Sequence, residues 1–408
     1  SSFLSRFLKK VRVCVRARTK FLLTFIYSKA YHIIINYIKS YMFGGIMQHE
    51  ITKPQRLLDE NGNIKEPGFA KKMLYEYHRS DVKAKNWRIK EWDYYYIGNQ
   101  HYGLALTIGD NGFAGALSTS ILDFRKTYDV TKTALVVFPL GKMNLPETSE
   151  KGTTKWTQGK SSYSFENDGK VRHLKGTHAK FDGDNALTFD ITLSDFPEES
   201  MVIATPFDKN AHFYFNQKIN CMRAEGVVKC GNKEWKFDKS DSMGTLDWGR
   251  GVWTYDNTWY WGSLQGYLED GSRFGWNIGY GFGNTSAASE NMLFYNGKSH
   301  KLDEVTFNIP VKNGKEDYMS PWTFTSNDGR FEMNFTPILD RQAPLNVGVI
   351  CMLPHQVFGK FNGKAILDDG TVIEVKDMIG FAEKVTTNGK NGDNSRLFEF
   401  FREPENPC

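Results

Sequence analysis

Cysteine is scarce in this sequence, with five residues among 408. They are Cys14, Cys221, Cys230, Cys351 and Cys408. So few cysteines in so long a chain exclude a small secreted scaffold held together by disulfides. Cys-x-x-Cys and His-x-His motifs are absent, and His173 and His178 lie five residues apart, which fits neither one strand face nor one helix face. We therefore predict no metal site, and nothing in the sequence calls for a cofactor.

Helical periodicity is missing as well. After residue 47 no long segment keeps the apolar period of an α-helix, and the nearest approach, residues 68–77, is short and interrupted. A charged fraction of 24% beside 40% hydrophobic residues excludes a disordered tail, a coiled coil and a multi-span membrane protein. The chain has instead 37 glycines and 14% aromatic residues, a composition typical of β-proteins.

Turn signals are dense and separate short alternating apolar segments. Asn-Gly occurs seven times and Asp-Gly five times, and these dipeptides are the strongest local indication of a β-hairpin. Leu104, Leu106 and Ile108 alternate before Asn111-Gly112, and residues 365–375 read as a complete hairpin. We therefore predict an all-β fold of antiparallel hairpins with few short helices. Its length indicates two barrel or sandwich domains, residues 47–240 and 241–408.

Acidic residues are absent from residues 1–46, which carry nine lysines and arginines. Three interpretations of this basic, apolar extension stay open: translated upstream sequence with Met47 as the start, a targeting peptide, or a membrane anchor. A start at Met47 favours a cytoplasmic protein, and a targeting peptide favours an organellar one. The rest of the chain is mildly acidic, so we expect no nucleic-acid partner, and no stable membrane span is predicted after residue 47.

Six separated motifs are too specific to be explained by composition. They are residues 91–96 (EWDYYY), 244–253 (GTLDWGRGVW), 259–261 (WYW), 290–291 (EN), 355–363 (HQVFGKFNG) and 380–383 (GFAE). In this order they resemble the family filed as domain of unknown function 2804, over residues 56–384. More distantly the chain is similar to the tandem-lipocalin superfamily of carotenoid 1,2-hydratase and the AttH-like proteins. The resemblance implies two lipocalin-like β-barrels with a ligand cavity, and an acidic residue at the position of Asp247.

Asp247 and Arg250 are the candidate catalytic residues, and their geometry has two alternatives. In an extended strand the two side chains point to opposite faces. A bulge or turn at the neighbouring glycines would let them meet as a bidentate ion pair. A buried Asp247 without a cationic partner could donate a proton, whereas a paired one is suited to stabilising a cation or the fold. Carotenoid hydration is not expected, because Thr245 stands where that enzyme has an aromatic hydroxyl.

Aromatic and polar residues of the motifs are the candidate ligand contacts. They are Trp248, Trp253, Trp259, Trp261, Glu290, Asn291, His355 and Glu383. Each also has a structural interpretation, since the tryptophans are equally typical of a packed core and the polar residues of hydrogen-bonded turns. Gly279, Gly281 and Gly283 leave one strand face bare, which allows close approach of a ligand or of another backbone segment.

Two functions follow from the motifs. The first is a binding protein that holds a hydrophobic small molecule, of the lipid or isoprenoid type, in a β-barrel cavity. The second is a lyase, hydratase or isomerase that acts on such a substrate, with Asp247 as acid or cation stabiliser and Arg250 orienting it. In both, the predicted partner is an apolar small molecule, and the oligomeric state stays open.

Overall fold

The computed structural model describes residues 48–342, 345–347 and 350–389. The interpretations offered for residues 1–46 lie outside these ranges. Within them the regular structure is β-strand, apart from two single-turn 3-10 helices at Arg79–Asp81 and Asn86–Arg88. The predicted all-β fold is therefore confirmed. Neither helical turn is long and apolar enough to cross a membrane, and these ranges contain no other helix.

Fifteen strands lie between Gln48 and Val252. They are β1 (Gln55–Arg56), β2 (Gly68–Ala70), β3 (Tyr75–Glu76), β4 (Lys90–Gly98), β5 (Tyr102–Asp110), β6 (Ala114–Asp123), β7 (Tyr128–Val137), β8 (Gly152–Gln158), β9 (Ser161–Asn167), β10 (Arg172–Asp182), β11 (Asn185–Ser194), β12 (Met201–Pro206), β13 (Phe213–Cys230), β14 (Lys233–Phe237) and β15 (Met243–Val252).

Twelve more strands follow in the described part of the chain. They are β16 (Asn257–Tyr267), β17 (Arg273–Tyr280), β18 (Met292–Tyr295), β19 (Lys298–Lys301), β20 (Val305–Asn308), β21 (Val311–Lys312), β22 (Lys315–Glu316), β23 (Trp322–Ser326), β24 (Phe331–Arg341), β25 (Leu345–Val347), β26 (Ile350–Ile366) and β27 (Val372–Gly389).

The first large sheet is antiparallel and runs in the order β7-β6-β5-β4-β15-β13-β11-β10-β9-β8, with β2, β12 and β14 attached at its side. It curls into a nearly closed barrel. Alternation along the strands fills the interior: Leu187, Phe189 and Ile191 of β11 are buried, while Thr188 and Asp190 between them are exposed. The alternating pattern of the sequence thus separates the residues that face the barrel interior from those that face outward.

The second large sheet runs in the order β19-β18-β17-β16-β27-β26-β24-β23-β20 and forms a half-barrel, with β25 paired to β26. Its long central hairpin is the one predicted over residues 365–375, where β26 ends and β27 begins. Gly370 in that turn has φ +87°, a conformation that glycine adopts without strain. Gly112, with φ +79°, has the same role between β5 and β6.

Strand β15 places the division between the sheets later than predicted. Residues 243–252 pair with β4 on one side and with β13 on the other, so they are a central strand of the first sheet. The chain passes to the second sheet between Val252 and Asn257, not near residue 240. Local sequence could not show this, because the position of β15 is set by pairing with β4 and β13, which are distant in the sequence.

The interiors of both barrels are filled by large apolar side chains. Trp248, Phe213 and Phe215 are among the fully buried residues of the first barrel, and Trp276 and Phe331 have this position in the second. A lipocalin-like ligand cavity needs space in such an interior. These side chains form packed cores, and a network of buried polar groups lies instead where the two sheets meet.

Gly249 on β15 lets an aromatic ring lie directly on the strand. A Cβ atom at this position would lie 2.1 Å from Cζ2 of Trp92, whose ring is also packed against Tyr214 and Trp253. Gly249→Ala is expected to lower the free energy of unfolding by about 1–3 kcal/mol, because the crowded ring has little room to move.

Denaturant unfolding measures this effect, with Gly109→Ala as the control. A Cβ atom on Gly109 meets its nearest neighbour at 3.6 Å, an ordinary contact, so the control should be neutral or slightly stabilising. Equal effects of the two substitutions would contradict the packing role of Gly249.

Candidate functional site between the two sheets

The outer faces of the two barrels meet, and the first sheet contributes a polar row to the contact. Lys218 of β13, Asp247 of β15 and Tyr94 of β4 are register partners on adjacent strands. Trp248, the next residue after Asp247, belongs to the barrel interior, so the row faces outward. The ring of Tyr94 meets the ring of Trp261 of the second sheet edge-on, with 5.8 Å between their centres.

The second sheet contributes a matching row. Trp261 of β16, Glu383 of β27, Gln356 of β26 and Arg341 of β24 are register partners in that order. Ala382, the neighbour of Glu383 along β27, lies in the core of the second barrel, so this row also faces away from its own interior. Two rows of polar and aromatic side chains therefore oppose each other between the sheets.

A buried ion pair lies within the first row, and its lysine contacts the second row. Oδ2 of Asp247 lies 2.8 Å from Nζ of Lys218, and Oδ1 of Asp247 accepts a hydrogen bond from Nδ2 of Asn216 at 2.7 Å. The side chain of Lys218 is 2% exposed, and its Nζ lies 3.9 Å from the centre of the Trp261 ring. Charges buried so deeply are tolerated only when they are paired and hydrogen-bonded.

Glu383 is the carboxyl group of the second row. Nε1 of Trp259 donates a hydrogen bond to its Oε1 at 3.3 Å, and Nε2 of Gln356 donates to its Oε2 at 2.9 Å. Burial raises the pKa of Glu383 to about 7, against the opposing charges of Arg341 and Lys218. This carboxyl group can therefore hold or release a proton near neutral pH.

Glu290 is a second carboxyl group of this kind. It lies in the segment between β17 and β18 and packs beside Gly279, where a Cβ atom would lie 3.5 Å from its Oε2, an ordinary contact. Burial raises the pKa of Glu290 to about 7; the ammonium of Lys218 opposes this rise and the carboxylate of Asp247 adds to it.

The hydroxyl group of Tyr214 lies close enough to three carboxyl groups for their charges to act on its pKa. Burial raises its pKa well above the ordinary value, and Glu290, Asp247 and Glu383 each add to that rise, in decreasing order. A phenol in this environment is neutral and can donate a hydrogen bond. The site thus combines one fixed ion pair, two carboxyl groups that titrate near neutral pH and one neutral hydroxyl, which are the groups that acid–base catalysis requires.

An aromatic wall lies beside these polar groups. The ring of Phe282 meets the rings of Tyr214, Trp253 and Trp259 edge-on, with centres 4.9 to 5.3 Å apart. Trp253 and Trp259 are half-buried, so the wall reaches the surface there. Such rings suit an apolar molecule more than an ionic one.

The bare glycine face predicted near Phe282 is occupied by backbone. A Cβ atom on Gly281 would lie 2.5 Å from the carbonyl oxygen of Thr258 on the neighbouring strand. Gly281 and Gly283 have φ of +90° and +76°, which turns the chain after β17 and directs Phe282 into the wall. The glycines therefore allow approach of another strand at this point.

The structure separates the two candidate catalytic residues. Strand β15 is extended, and Arg250 points into the first barrel, where its Nη2 lies 3.1 Å from Oδ1 of Asp93 and 2.8 Å from the carbonyl oxygen of Pro146. Its Nη1 donates to the carbonyl oxygen of Trp92 at 2.8 Å. The idea that Arg250 orients Asp247 is wrong, because alternation places them on opposite faces and Lys218 is the partner of Asp247.

Three of the predicted ligand contacts lie away from the site. Trp248 packs in the first barrel core, and Asn291 accepts a hydrogen bond from the backbone N–H of Gly279 and donates one to the carbonyl oxygen of Asp303. His355 lies on β26, where its ring stacks on Tyr318 at 3.9 Å. The structure brings together the other five: Trp253, Trp259, Trp261, Glu290 and Glu383.

Several residues of the site were not predicted from the sequence. They are Tyr94, Tyr214, Asn216, Lys218, Arg341 and Gln356. One signal was available, since the polar run Asn216-Gln217-Lys218 interrupts an otherwise apolar strand, β13. Polar residues in such a position need buried partners, so they point to a network. The partners themselves come from strands far apart in the sequence and no local pattern indicates them.

Metal binding has no support in the described ranges, where no three histidine, cysteine or acidic side chains are placed to hold an ion. A family model described as a domain of unknown function, DUF2804, matches residues 48–388. The chain belongs to this family. The predicted resemblance to this family is thereby confirmed, and the two barrel-like sheets are the architecture of this DUF2804 protein.

Comparison with solved structures gives distant similarities to this DUF2804 protein. An AttH-type protein of Nitrosomonas europaea has 12% sequence identity and a TM-score of 0.47, over 76% of this chain and 96% of that chain. Kievitone hydratase from Nectria haematococca has 12% identity and a TM-score of 0.42, over 74% and 89%. The protein CghA has 9% identity and a TM-score of 0.47, over 83% and 98%. No curated protein sequence matches the chain.

Proposed function

We propose that this protein catalyses a proton-transfer reaction of the lyase or isomerase type on a small, largely apolar molecule bound between the two sheets. One observation carries the proposal: Glu383 and Glu290 are both buried, both have a pKa near 7, and both lie close enough to Lys218 of the Asp247–Lys218 ion pair for its charge to act on them. Buried carboxyl groups whose pKa is raised to near neutral pH are typical of acid–base sites.

Each group has a role that follows from its contacts. Glu383 has a hydrogen-bond donor on each oxygen, which fixes the plane of its carboxyl group and leaves it as the proton donor or acceptor. Asp247 is fixed by Lys218 and Asn216, so it supplies a negative charge for a cationic intermediate. Arg250 has no part in this scheme.

The aromatic wall supports an apolar substrate. Trp253, Trp259 and Phe282 offer ring surfaces beside Tyr214, and a molecule held there would lie close to the groups that move protons. An environment that excludes water also strengthens the action of Asp247 and Lys218 on a developing charge.

Deuterium incorporation tests the proposal while the identity of the substrate is still open. An organic-solvent extract of the source cells is incubated in D2O with the purified protein and then compared by mass spectrometry. We expect the wild-type protein to label one class of apolar compound with deuterium at carbon, and Glu383→Gln to lose at least about 100-fold of this rate, because the proton carrier is removed.

Glu332→Gln is the matched control, since Glu332 lies on the exposed face of β24 and pairs with Lys364 at the surface. It should label the extract at the wild-type rate. Labelling that is absent with the wild-type protein, or unchanged in Glu383→Gln, overturns the proposal.

A binding protein is the second candidate, and the aromatic wall is the observation that favours it. Such a protein would hold an apolar molecule between the sheets without changing it. The same experiment separates the two: an apolar compound that co-purifies with the protein but gains no deuterium supports binding alone.

A further inference from the structure

One end of the candidate site contains polar atoms without well-formed hydrogen bonds. They are Oη of Tyr94, Oε1 of Gln356 and Nη1 of Arg341, all buried from solvent within the described part of the chain. Tyr94 is 8% exposed and Gln356 is 3% exposed. Buried polar atoms whose hydrogen bonds are long or poorly directed cost free energy, so three of them at one place need an explanation.

These atoms lie close together. Gln356 and Arg341 are register partners on β26 and β24, so their side chains are neighbours on one face of the second sheet. Tyr94 stands opposite on the first sheet, on the ring of Trp261. Burial raises the pKa of Tyr94 to about 12, while Arg341 and Gln356 approach its hydroxyl and oppose that rise. We call Tyr94, Arg341 and Gln356 the Arg341 subsite.

Arg341 also makes no direct ion pair in the described part of the chain. Among the described residues no carboxylate oxygen lies within 4.0 Å of its guanidinium, although Asp129 and Glu383 are near enough for Arg341 to lower the pKa of each. Its side chain is half-buried. An arginine is charged at all relevant pH values, and its planar group matches two oxygen atoms of a carboxylate. An arginine without a carboxylate at the end of a site is suited to one brought by a ligand.

We infer that the Arg341 subsite binds the carboxylate of an amphipathic ligand: Arg341 Nη1 and Tyr94 Oη donate hydrogen bonds to its oxygens, and the apolar part of the molecule extends along Trp261 toward the aromatic wall. This inference rests on the proposed function in that it names the substrate class of the same site. It assigns to Arg341 and Tyr94 a role in binding, whereas the proton-moving groups lie further along the rows.

Gln356 connects the subsite to Glu383. Its Nε2 donates to Oε2 of Glu383 at 2.9 Å, while its buried Oε1 accepts no well-formed hydrogen bond. A ligand with a hydroxyl group beside its carboxylate would supply such a bond. The subsite therefore favours hydroxy acids over simple acids among ligands of equal size.

A pair of probes that differ only in the acidic group tests the inference. Binding of 4-phenylbutanoate and of 4-phenylbutan-1-ol to the full chain is measured by ligand-observed NMR titration. We expect the wild-type protein to bind the carboxylate at least about tenfold more tightly than the alcohol, because a charge-assisted hydrogen bond is available only to the carboxylate. Arg341→Met should abolish this preference by weakening binding of the carboxylate, with binding of the alcohol unchanged.

Two further variants sharpen the result. Tyr94→Phe removes one donor and should weaken carboxylate binding about fivefold. Arg56→Met, at an exposed arginine paired with Asp81, is the matched control and should keep the full preference. The inference is overturned if the wild-type protein binds both probes equally or does not bind the carboxylate, or if Arg341→Met keeps the preference.

The two proposals can fail separately. Loss of carboxylate preference in Arg341→Met together with unchanged deuterium labelling in Glu383→Gln would retain the subsite and reject the catalytic role. If labelling depends on Glu383 but the carboxylate preference survives Arg341→Met, the catalytic role is retained and the subsite is rejected.

Discussion

Lys218→Met is expected to lower the free energy of unfolding by about 3–5 kcal/mol at neutral pH, because it leaves the carboxylate of Asp247 buried without its counter-ion. Asp247 is 6% exposed, and its remaining side-chain contact is the hydrogen bond from Asn216 at 2.7 Å. The ammonium of Lys218 also acts on Glu290 and Glu383, so the substitution removes the cation that three carboxyl groups share. Denaturant unfolding of the full chain measures the loss.

Asp247→Asn combined with Lys218→Met should recover most of that loss, since the double variant has no unpaired charge. The surface control is Lys364→Met, whose partner Glu332 lies 3.6 Å away with both side chains about half exposed. We expect this control to change stability by less than about 1 kcal/mol. A Lys218→Met variant that is no less stable than the control would show that the buried charge of Asp247 needs no partner.

Glu383→Gln is expected to make the protein more stable at alkaline pH while abolishing the proposed proton transfer. The pKa of Glu383 rises from 4.5 to about 7 on burial, so between these pH values the folded protein keeps a proton that the unfolded chain has lost. Stability of the wild-type protein therefore falls as pH rises through this window, and the cost is fully present above pH 7. This loss of stability amounts to about 3 kcal/mol. Glutamine avoids it because its side chain does not ionise.

The measurement is the free energy of unfolding of the wild-type and variant proteins on both sides of the window. Below pH 4.5 the two should agree, because the carboxyl group is protonated in the folded and the unfolded state. Above pH 7 the variant should be the more stable one, and Glu332→Gln should stay within about 0.5 kcal/mol of the wild type throughout. A variant that is less stable at every pH would identify Glu383 as a structural residue.

The fold could be predicted from the sequence to the extent that it depends on local signals. Alternation in Leu104, Leu106 and Ile108, with Asn111-Gly112 after them, specifies β5, the turn and β6. The six motifs added the family and with it the two barrels. Strand β15 was misplaced, because its position between β4 and β13 is decided by pairing with residues that are distant in the sequence.

The candidate site was predicted in part. Asp247, Glu290, Glu383, Trp259 and Trp261 stand in conspicuous motifs, and the structure brings them together. Arg250 was mistaken for the partner of Asp247, although period-two alternation already separates them in an extended strand. The roles of Lys218 and Arg341 could not be predicted from the sequence. Each depends on contacts with residues of the other sheet, and no local sequence pattern indicates such contacts.

The pairing of β15 has a consequence for how the chain folds during synthesis. Strand β4 and its hairpin partner β5 leave the ribosome early, but the other neighbour of β4 is made only when residues 243–252 emerge. Until then the first barrel has an open edge on each side of the missing strand, and such edges pair readily with other chains. Strand β16 likewise pairs with β27, which is made more than about a hundred residues later, so both barrels depend on pairing between distant segments. We therefore expect slow folding that depends on chaperones, and early truncations that aggregate.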